Sequence, residues 1–283
     1  MMREPSSRAR RTPAAVRIAI HAAVYAGAGL MLLPFAWMLI TALKTDQESL
    51  DPSRLLPASP QWGNFTRAVQ AARLDQFYLN SVAAAAITTL LAGAHNALAG
   101  FAFAKLRFAG RRSLFGIVLA TMMLPAQVSF IFAYLIAQRL GFVNNVQALV
   151  VPFLASGFGI YYMRQAIVQV PDSLLEAARL DGMSELDVFW NVVRPTVQPA
   201  ISALAIFTFV ASWNSFFWPL IAIDSLDKKT LPLAVADLAG GQYIQSWPVR
   251  MAAATILVGP LIVVFLLMQR AFVRGVALTG VKE

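Results

Sequence analysis

Hydrophobic positions in this chain run in long blocks, and polar positions collect in short islands between them. A helix needs about 20 apolar residues to cross the hydrocarbon core of a bilayer. Blocks of that length predict six spans: Ile18–Ala42, Phe77–Phe103, Ser113–Ala137, Gln147–Ile167, Pro199–Ile223 and Met251–Phe272. The fourth is interrupted by Pro152, Gly157 and Gly159 and ends in Tyr161-Tyr162, an aromatic pair suited to a membrane interface. The first follows Arg3, Arg8, Arg10, Arg11 and Arg17 and is longer than the ~7–15 apolar residues of a signal peptide. It reads as a signal anchor. Small residues in the second span (Ser81 to Ala86, and Ala92, Asn96 and Gly100 at four-residue spacing) suit close helix packing inside a bundle. His95 and Asn96 read as packing or interfacial residues.

The pattern therefore predicts an all-α membrane protein of about six transmembrane helices. Composition agrees: 58% of the 283 residues are hydrophobic and 13% charged, against about 25% charged in soluble domains. With no cysteine, disulfides and thiolate metal sites are excluded, and two histidines are too few for a histidine metal centre. No constellation with catalytic spacing stands out, so neither catalytic residues nor a metal site is expected.

The net charge of +9 is read as topology, not as nucleic-acid binding. The loop Lys105–Arg112 holds four positive charges and no acid, whereas Gln138–Val146 holds only Arg139. The positive-inside rule then places both termini, this loop and the Glu176 region in the cytoplasm. The expected organisation is a cytoplasmic tail over 1–17, a permease-like membrane domain over 18–272 and a cytoplasmic tail over 273–283. Two longer loops, Lys44–Gln76 (with a surface helix at Gly63–Val69) and Asp224–Arg250, fall on the opposite side as docking surfaces or simple connections. Asp224 and Asp227 are expected in solvent.

The polar island at 170–198 predicts a helical hairpin. Pro171-Asp172-Ser173 supplies a helix start, and Ser173 with Glu176 has capping-box spacing. A first helix would run from Leu174 to Leu180, stopped by Asp181-Gly182. Ser184 with Asp187 opens a second helix through Val193, closed by Pro195, with Leu186, Phe189, Trp190 and Val193 packing beneath the bundle. Ala177 and Ala178 would let the first helix seat in a partner's groove, with Glu176 at the rim. An interfacial amphipathic helix without a partner remains the alternative.

The island resembles the cytoplasmic EAA loop of binding-protein-dependent ABC importers: E-A-A, three residues, G, nine residues, I-x-L-P. It reads here Glu176-Ala177-Ala178, Gly182, then Val192-Val193-Arg194-Pro195, with Val192 and Arg194 in place of isoleucine and leucine. The wider chain is similar to the smaller membrane subunit of maltose-type sugar permeases. The matching runs are Gly63-Asn64-Phe65, Asn80-Ser81, Ala102–Phe108, Met123–Val128, Trp213–Leu220 and Leu278–Glu283, while Phe132 stands where such sequences often carry proline.

That resemblance implies a bacterial inner-membrane permease with several partners: a second permease subunit in a heterodimer, two copies of an ATP-binding subunit and an extracytoplasmic solute-binding protein. Coupling to the ATPase would use Glu176, Ala177, Ala178, Asp181, Gly182 and Pro195, with a second contact through Lys282. The chain lacks a Gly-x-x-x-x-Gly-Lys-Ser/Thr loop, so ATP and Mg would be bound by the partner and no cofactor by this chain. Sugars require hydrogen-bonding and aromatic groups within the bundle. Asn80, Gln127, Ser129, Trp213, Asn214 and Trp218 are the candidates for the path. A secondary transporter or channel is the competing class and would predict ionisable residues near mid-membrane.

Overall fold

A computed structural model describes residues 14–240 and 245–280. Among the described residues the chain is helical, with no strand. Three helices are long and apolar enough to cross a membrane, Ala15–Ala42, Leu74–Lys105 and Trp247–Leu266 within a longer helix to Gly280. Counting bent helix pairs as single spans brings the total up to six.

The second span, Leu74–Lys105, is the spine of the bundle. Leu74, Phe77, Ser81, Ala84, Ala85, Thr88, Ala92, Asn96, Ala97, Gly100 and Phe101 are all buried along it. The ladder Ala92, Asn96, Gly100 packs as its spacing predicts: a Cβ built on Gly100 would lie 2.7 Å from the Cβ of Met163 on Gly157–Val168. The first span, Ala14–Ala42, stands apart, exposed until Thr41 and Ala42 enter the core.

Three buried clusters organise the molecule. One, at the end remote from the 170–198 hairpin, joins Ala42, Phe77, Trp213, Leu231 and Val249. A second gathers Ala84, Ala148, Leu149, Trp218 and Ala222. The third, at the hairpin end, joins Phe101, Met163 and Ile167 to Leu175, Ala178, Val188, Phe189 and Val193.

The third, fourth and fifth spans depart from the continuous helices expected. The third is two helices, Arg111–Thr121 and Ala126–Arg139, meeting at 105°. Pro125 supplies the reason: it has no N–H to continue the ladder, and it drives the preceding residue towards extended backbone. Helix Ala126–Arg139 runs through Phe132 without interruption. The fourth bends by 46° between Val146–Phe153 and Gly157–Val168, as Pro152 and Gly157 foreshadow. The fifth ends its main helix Gln198–Trp213 at Asn214 and resumes at Phe217–Ala222. Pro219 lacks the donor that would join the two pieces.

The loop after the first span is tightly held. Thr45 and Glu48 form a capping box on Asp46–Leu50, and Glu48 also accepts the Ala58 amide at 2.9 Å. The helix expected at Gly63 runs to Ala72. It is no loose surface element: buried Asn64 donates to the carbonyls of Ala42 and Lys44 at 2.7 and 2.9 Å, and Ala68 enters the core. Asp224 and Asp227 are exposed.

Candidate functional site

The hairpin is built from Asp172–Leu180 and a second helix running from Glu185 to Thr196. The first helix begins two residues earlier than expected, with Pro171 in extended backbone at its N-cap and no side-chain cap. Ser173 and Glu176 therefore already lie inside it and form no capping box. Asp172, freed from capping, reaches Lys105 instead, Nζ to Oδ1 at 2.7 Å. Gly182 stops the helix at φ +83°, the left-handed conformation glycine tolerates best. The second capping box forms as its sequence predicts: the Asp187 amide donates to Ser184 Oγ, and Asp187 Oδ2 accepts from the Ser184 amide.

Pro195 does not close the second helix but widens it. Proline cannot donate to the carbonyl four residues back. Phe189–Val193 forms a π-helical turn, in which the Arg194 amide donates to the Phe189 carbonyl, and helix then continues to Thr196. The wider turn changes which face goes inward. Val188, Phe189 and Val193 are buried, whereas Leu186 and Trp190, expected beneath the bundle, are exposed at 62% and 47%. Arg194 stays outside the core, its guanidinium 5.2 Å from the Trp190 ring centroid.

Two polar braces stiffen this hairpin. Lys105, only 7% exposed, donates to the Val170 carbonyl at 2.6 Å as well as to Asp172. That hydrogen bond holds the Asp172 carboxyl below the ordinary carboxylate range. Arg179 grips Glu185 through two bonds of 2.8 and 3.0 Å, joining the two helices. Phe101 of the second span meets Phe189 with ring centroids 5.5 Å apart. The hairpin is thereby fastened to the spine of the bundle.

The predicted coupling residues divide between its two faces. Glu176, Ala177, Asp181, Gly182 and Pro195 are exposed, and Ala178 is buried against the chain's own core. Around them stand Leu174, Leu180 at 89% exposure, Met183, Leu186 and Trp190. Lys282 lies outside the described residues.

A second feature sits in the bundle. A cavity of about 570 Å³ is lined by the second span (Ala84, Thr88, Ala92, Asn96), the third (Thr121, Leu124, Ser129), the fourth (Pro152, Ser156) and the fifth (Thr208, Ser212, Ser215, Trp218). The breaks at Met122–Pro125, Leu154–Ser156 and Asn214–Phe216 all adjoin it. Interrupted helix within a membrane protein is tolerated where it lines a cavity or is buried in protein. None of the described lining residues is ionisable.

Of the residues proposed for a path, Ser129 and Trp218 reach this cavity. Trp218 is fixed by its indole N–H on the Ala148 carbonyl at 2.8 Å. Asn80 is turned away, donating to the carbonyls of Asp227 and Lys229. Gln127 lines a separate apolar groove with Phe130 and Phe217. Trp213 is buried between Tyr78 and Phe209, its indole N–H on the Leu257 carbonyl at 3.1 Å. Asn214 is exposed at the end of its helix. Thr88, Ser156, Thr208, Ser212 and Thr230 line the cavity without having been singled out. The four-residue ladder through Ala92 and Asn96 extends back to Thr88 and Ala84, and that spacing was the available signal.

Among the described residues no group of three or more His, Cys, Asp or Glu could hold a metal ion. Residues 96–278 match the family described as "Binding-protein-dependent transport system inner membrane component". The lactose transport system permease protein LacG of Rhizobium radiobacter is 29% identical over 266 residues, 94% of this chain and 96% of that protein. The sn-glycerol-3-phosphate transport system permease protein UgpE of Pectobacterium atrosepticum is 30% identical over 263 residues, 90% of this chain and 94% of the relative. The fold is shared with a bacterial ABC transporter involved in the import of the acidic polysaccharide alginate, at a TM-score of 0.81 and 22% identity over 93% of this chain and 99% of that one. With the family match covering more than half its length, this chain belongs to the inner-membrane components of binding-protein-dependent transport systems.

Proposed function

We propose that this chain is a membrane subunit of an ATP-driven importer that brings a sugar or sugar-like solute into a bacterial cell. Its partners are a second permease subunit in a heterodimer, two copies of an ATP-binding subunit, an extracytoplasmic solute-binding protein and the surrounding lipid. ATP and Mg are held by the ATP-binding subunits. The relatives' names, lactose and sn-glycerol 3-phosphate permeases, support a polyhydroxylated solute.

The observation that carries the reading is the hairpin: an apolar, solvent-facing surface around Glu176, fastened to the second span through Lys105 and Phe101. A surface braced in this way passes rigid-body motion from a docked ATPase into the bundle. Closure of the ATPase on ATP then favours one of two bundle states, which requires tighter docking in that state. The basic Lys105–Arg112 loop supports a cytoplasmic hairpin and cytoplasmic termini. Glu176, Ala177, Asp181, Gly182 and Pro195 offer the exposed ATPase contact, Ala178 seats the helix from inside, and Lys282 is a second contact. Ser129 and Trp218 belong to the solute path. A secondary carrier would need ionisable groups in its core, and the described cavity wall supplies none.

The test is ATP-driven uptake in proteoliposomes containing the chain with its cognate subunits and binding protein. Glu176→Lys should reduce uptake at least tenfold while the subunit still inserts. Wild-type uptake in that variant, or uptake that needs no ATP, would overturn the reading.

A further inference from the structure

Five buried side-chain polar atoms among the described residues have no hydrogen-bond partner, and three of them, Thr88 Oγ1, Asn96 Nδ2 and Thr230 Oγ1, belong to residues lining the central cavity. Thr88, Asn96 and Thr230 are 1%, 0% and 5% exposed. Buried polar groups in folded proteins are nearly always paired, and each exception calls for a partner that is absent or mobile. Other polar groups nearby are already engaged: Ser81 Oγ accepts the Leu231 amide, and Asn96 Oδ1 accepts the Ser156 amide. The unpaired atoms are therefore the ones left for a guest.

We propose that Thr88, Asn96 and Thr230 form a hydrogen-bonding subsite, contributed by this subunit itself, for the hydroxyl groups of an uncharged saccharide or polyol. The inference rests on the importer reading above and narrows it. From Ala84 to Asn96 the second span advances twelve residues, about 18 Å along its axis, so the wall is long enough for more than one sugar ring. Its polar groups are hydroxyls and an amide, which both donate and accept, as sugar hydroxyls do. Trp218 and Phe130 add aromatic faces with ring centroids 5.6 Å apart. A phosphate or carboxylate would enter this wall without a cation to pair it, and burying an unpaired charge is far costlier than burying a hydroxyl.

Thr89 provides a matched comparison. It neighbours Thr88 on the same helix, but its hydroxyl is spent on the Ala85 carbonyl at 2.6 Å and it does not line the cavity. The experiment measures solute taken up per ATP hydrolysed by the complete transporter in proteoliposomes. Each probe is presented on a binding protein that loads it: neutral di- and trisaccharides including lactose, sn-glycerol 3-phosphate, and an alginate trisaccharide. Thr88→Val and Thr230→Val should each lower the ratio for the transported neutral saccharide about two- to tenfold, with Thr89→Val close to wild type. A purely structural role would lower assembly or thermal stability and leave the ratio unmoved. Equal ratios for Thr88→Val and Thr89→Val overturn the subsite. Uptake of either anionic probe at the neutral saccharide's ratio overturns the uncharged class and leaves the importer reading standing. Uptake of no probe at all strikes both.

Discussion

The hairpin and the central cavity break the ordinary rule of burial in opposite directions. At the hairpin, apolar side chains (Leu174, Leu180, Leu186 and Trp190) face outward from an element held by ion pairs and backbone hydrogen bonds. In the cavity, polar side chains face inward from apolar helices and stay unpaired. Either arrangement costs free energy in the isolated chain, and each is offset only when something else occupies the surface. The hairpin surface is rigid and convex, so it suits a protein partner that must be moved. The cavity lies where three helices break, so its wall belongs to several segments that can shift relative to one another.

The sharpest way to break this comparison is at Gly182. A Cβ there would touch nothing within the chain, so only the backbone conformation and an external partner register the change. Gly182→Val places a β-branched residue in the left-handed region at a cost of about 1–3 kcal/mol. Uptake should fall more than tenfold with normal amounts of subunit in the membrane. Normal uptake would show that the turn is not part of a docking surface.

Lys105 tests the brace beneath that surface. Lys105→Met leaves the Val170 carbonyl without its donor and should cost about 1–3 kcal/mol. ATP hydrolysis should then run with less solute moved per ATP, and Lys105→Arg should restore part of the coupling. Asp172→Asn should do less, because its carboxylate is largely exposed and solvent screens the pair. Since Lys105 depresses the Asp172 pKa, the ion pair's contribution is present at neutral pH. It fades only as acidification passes below about pH 4, through the folded-state value. Coupling that weakened between pH 8 and 6 would point to another group.

The smallest effect sharpens the cavity side. Trp213→Phe removes a hydrogen bond to Leu257 outside the cavity and should cost about 0.5–1.5 kcal/mol of stability, with less than a twofold change in solute per ATP. Trp218→Phe changes the cavity wall and should lower that ratio severalfold. Equal effects on transport would remove the distinction between the two tryptophans.

The two regions were not equally legible. The hairpin is encoded locally: Ser184 and Asp187 are three residues apart and cap their own helix, and Gly182 ends the helix beside it. Two of its details escaped, both because of prolines. Pro171 started the first helix early, and Pro195 widened the second, exchanging Leu186 and Trp190 for Val188 on the buried face. The path residues were harder to read because apolar spans carry little periodic signal about which side faces inward. Asn80 and Trp213 look like mid-membrane functional groups in one dimension. In three dimensions they hold the loop at Asp227–Lys229 and the last helix.

Sequence by itself determined the all-helical membrane class, the positions of the apolar segments and the chemistry of the hairpin turn. Each depends on residues within a few turns of one another, where hydrogen bonding, proline and glycine act directly. Tertiary structure alone decided that the third and fifth spans are broken, that their breaks meet the fourth at one cavity, and that Thr88, Asn96 and Thr230 line it with unpaired polar atoms. Those residues are separated by up to 142 positions. Only the packing of Gly100 on Met163 and of the neighbouring helices brings their walls together.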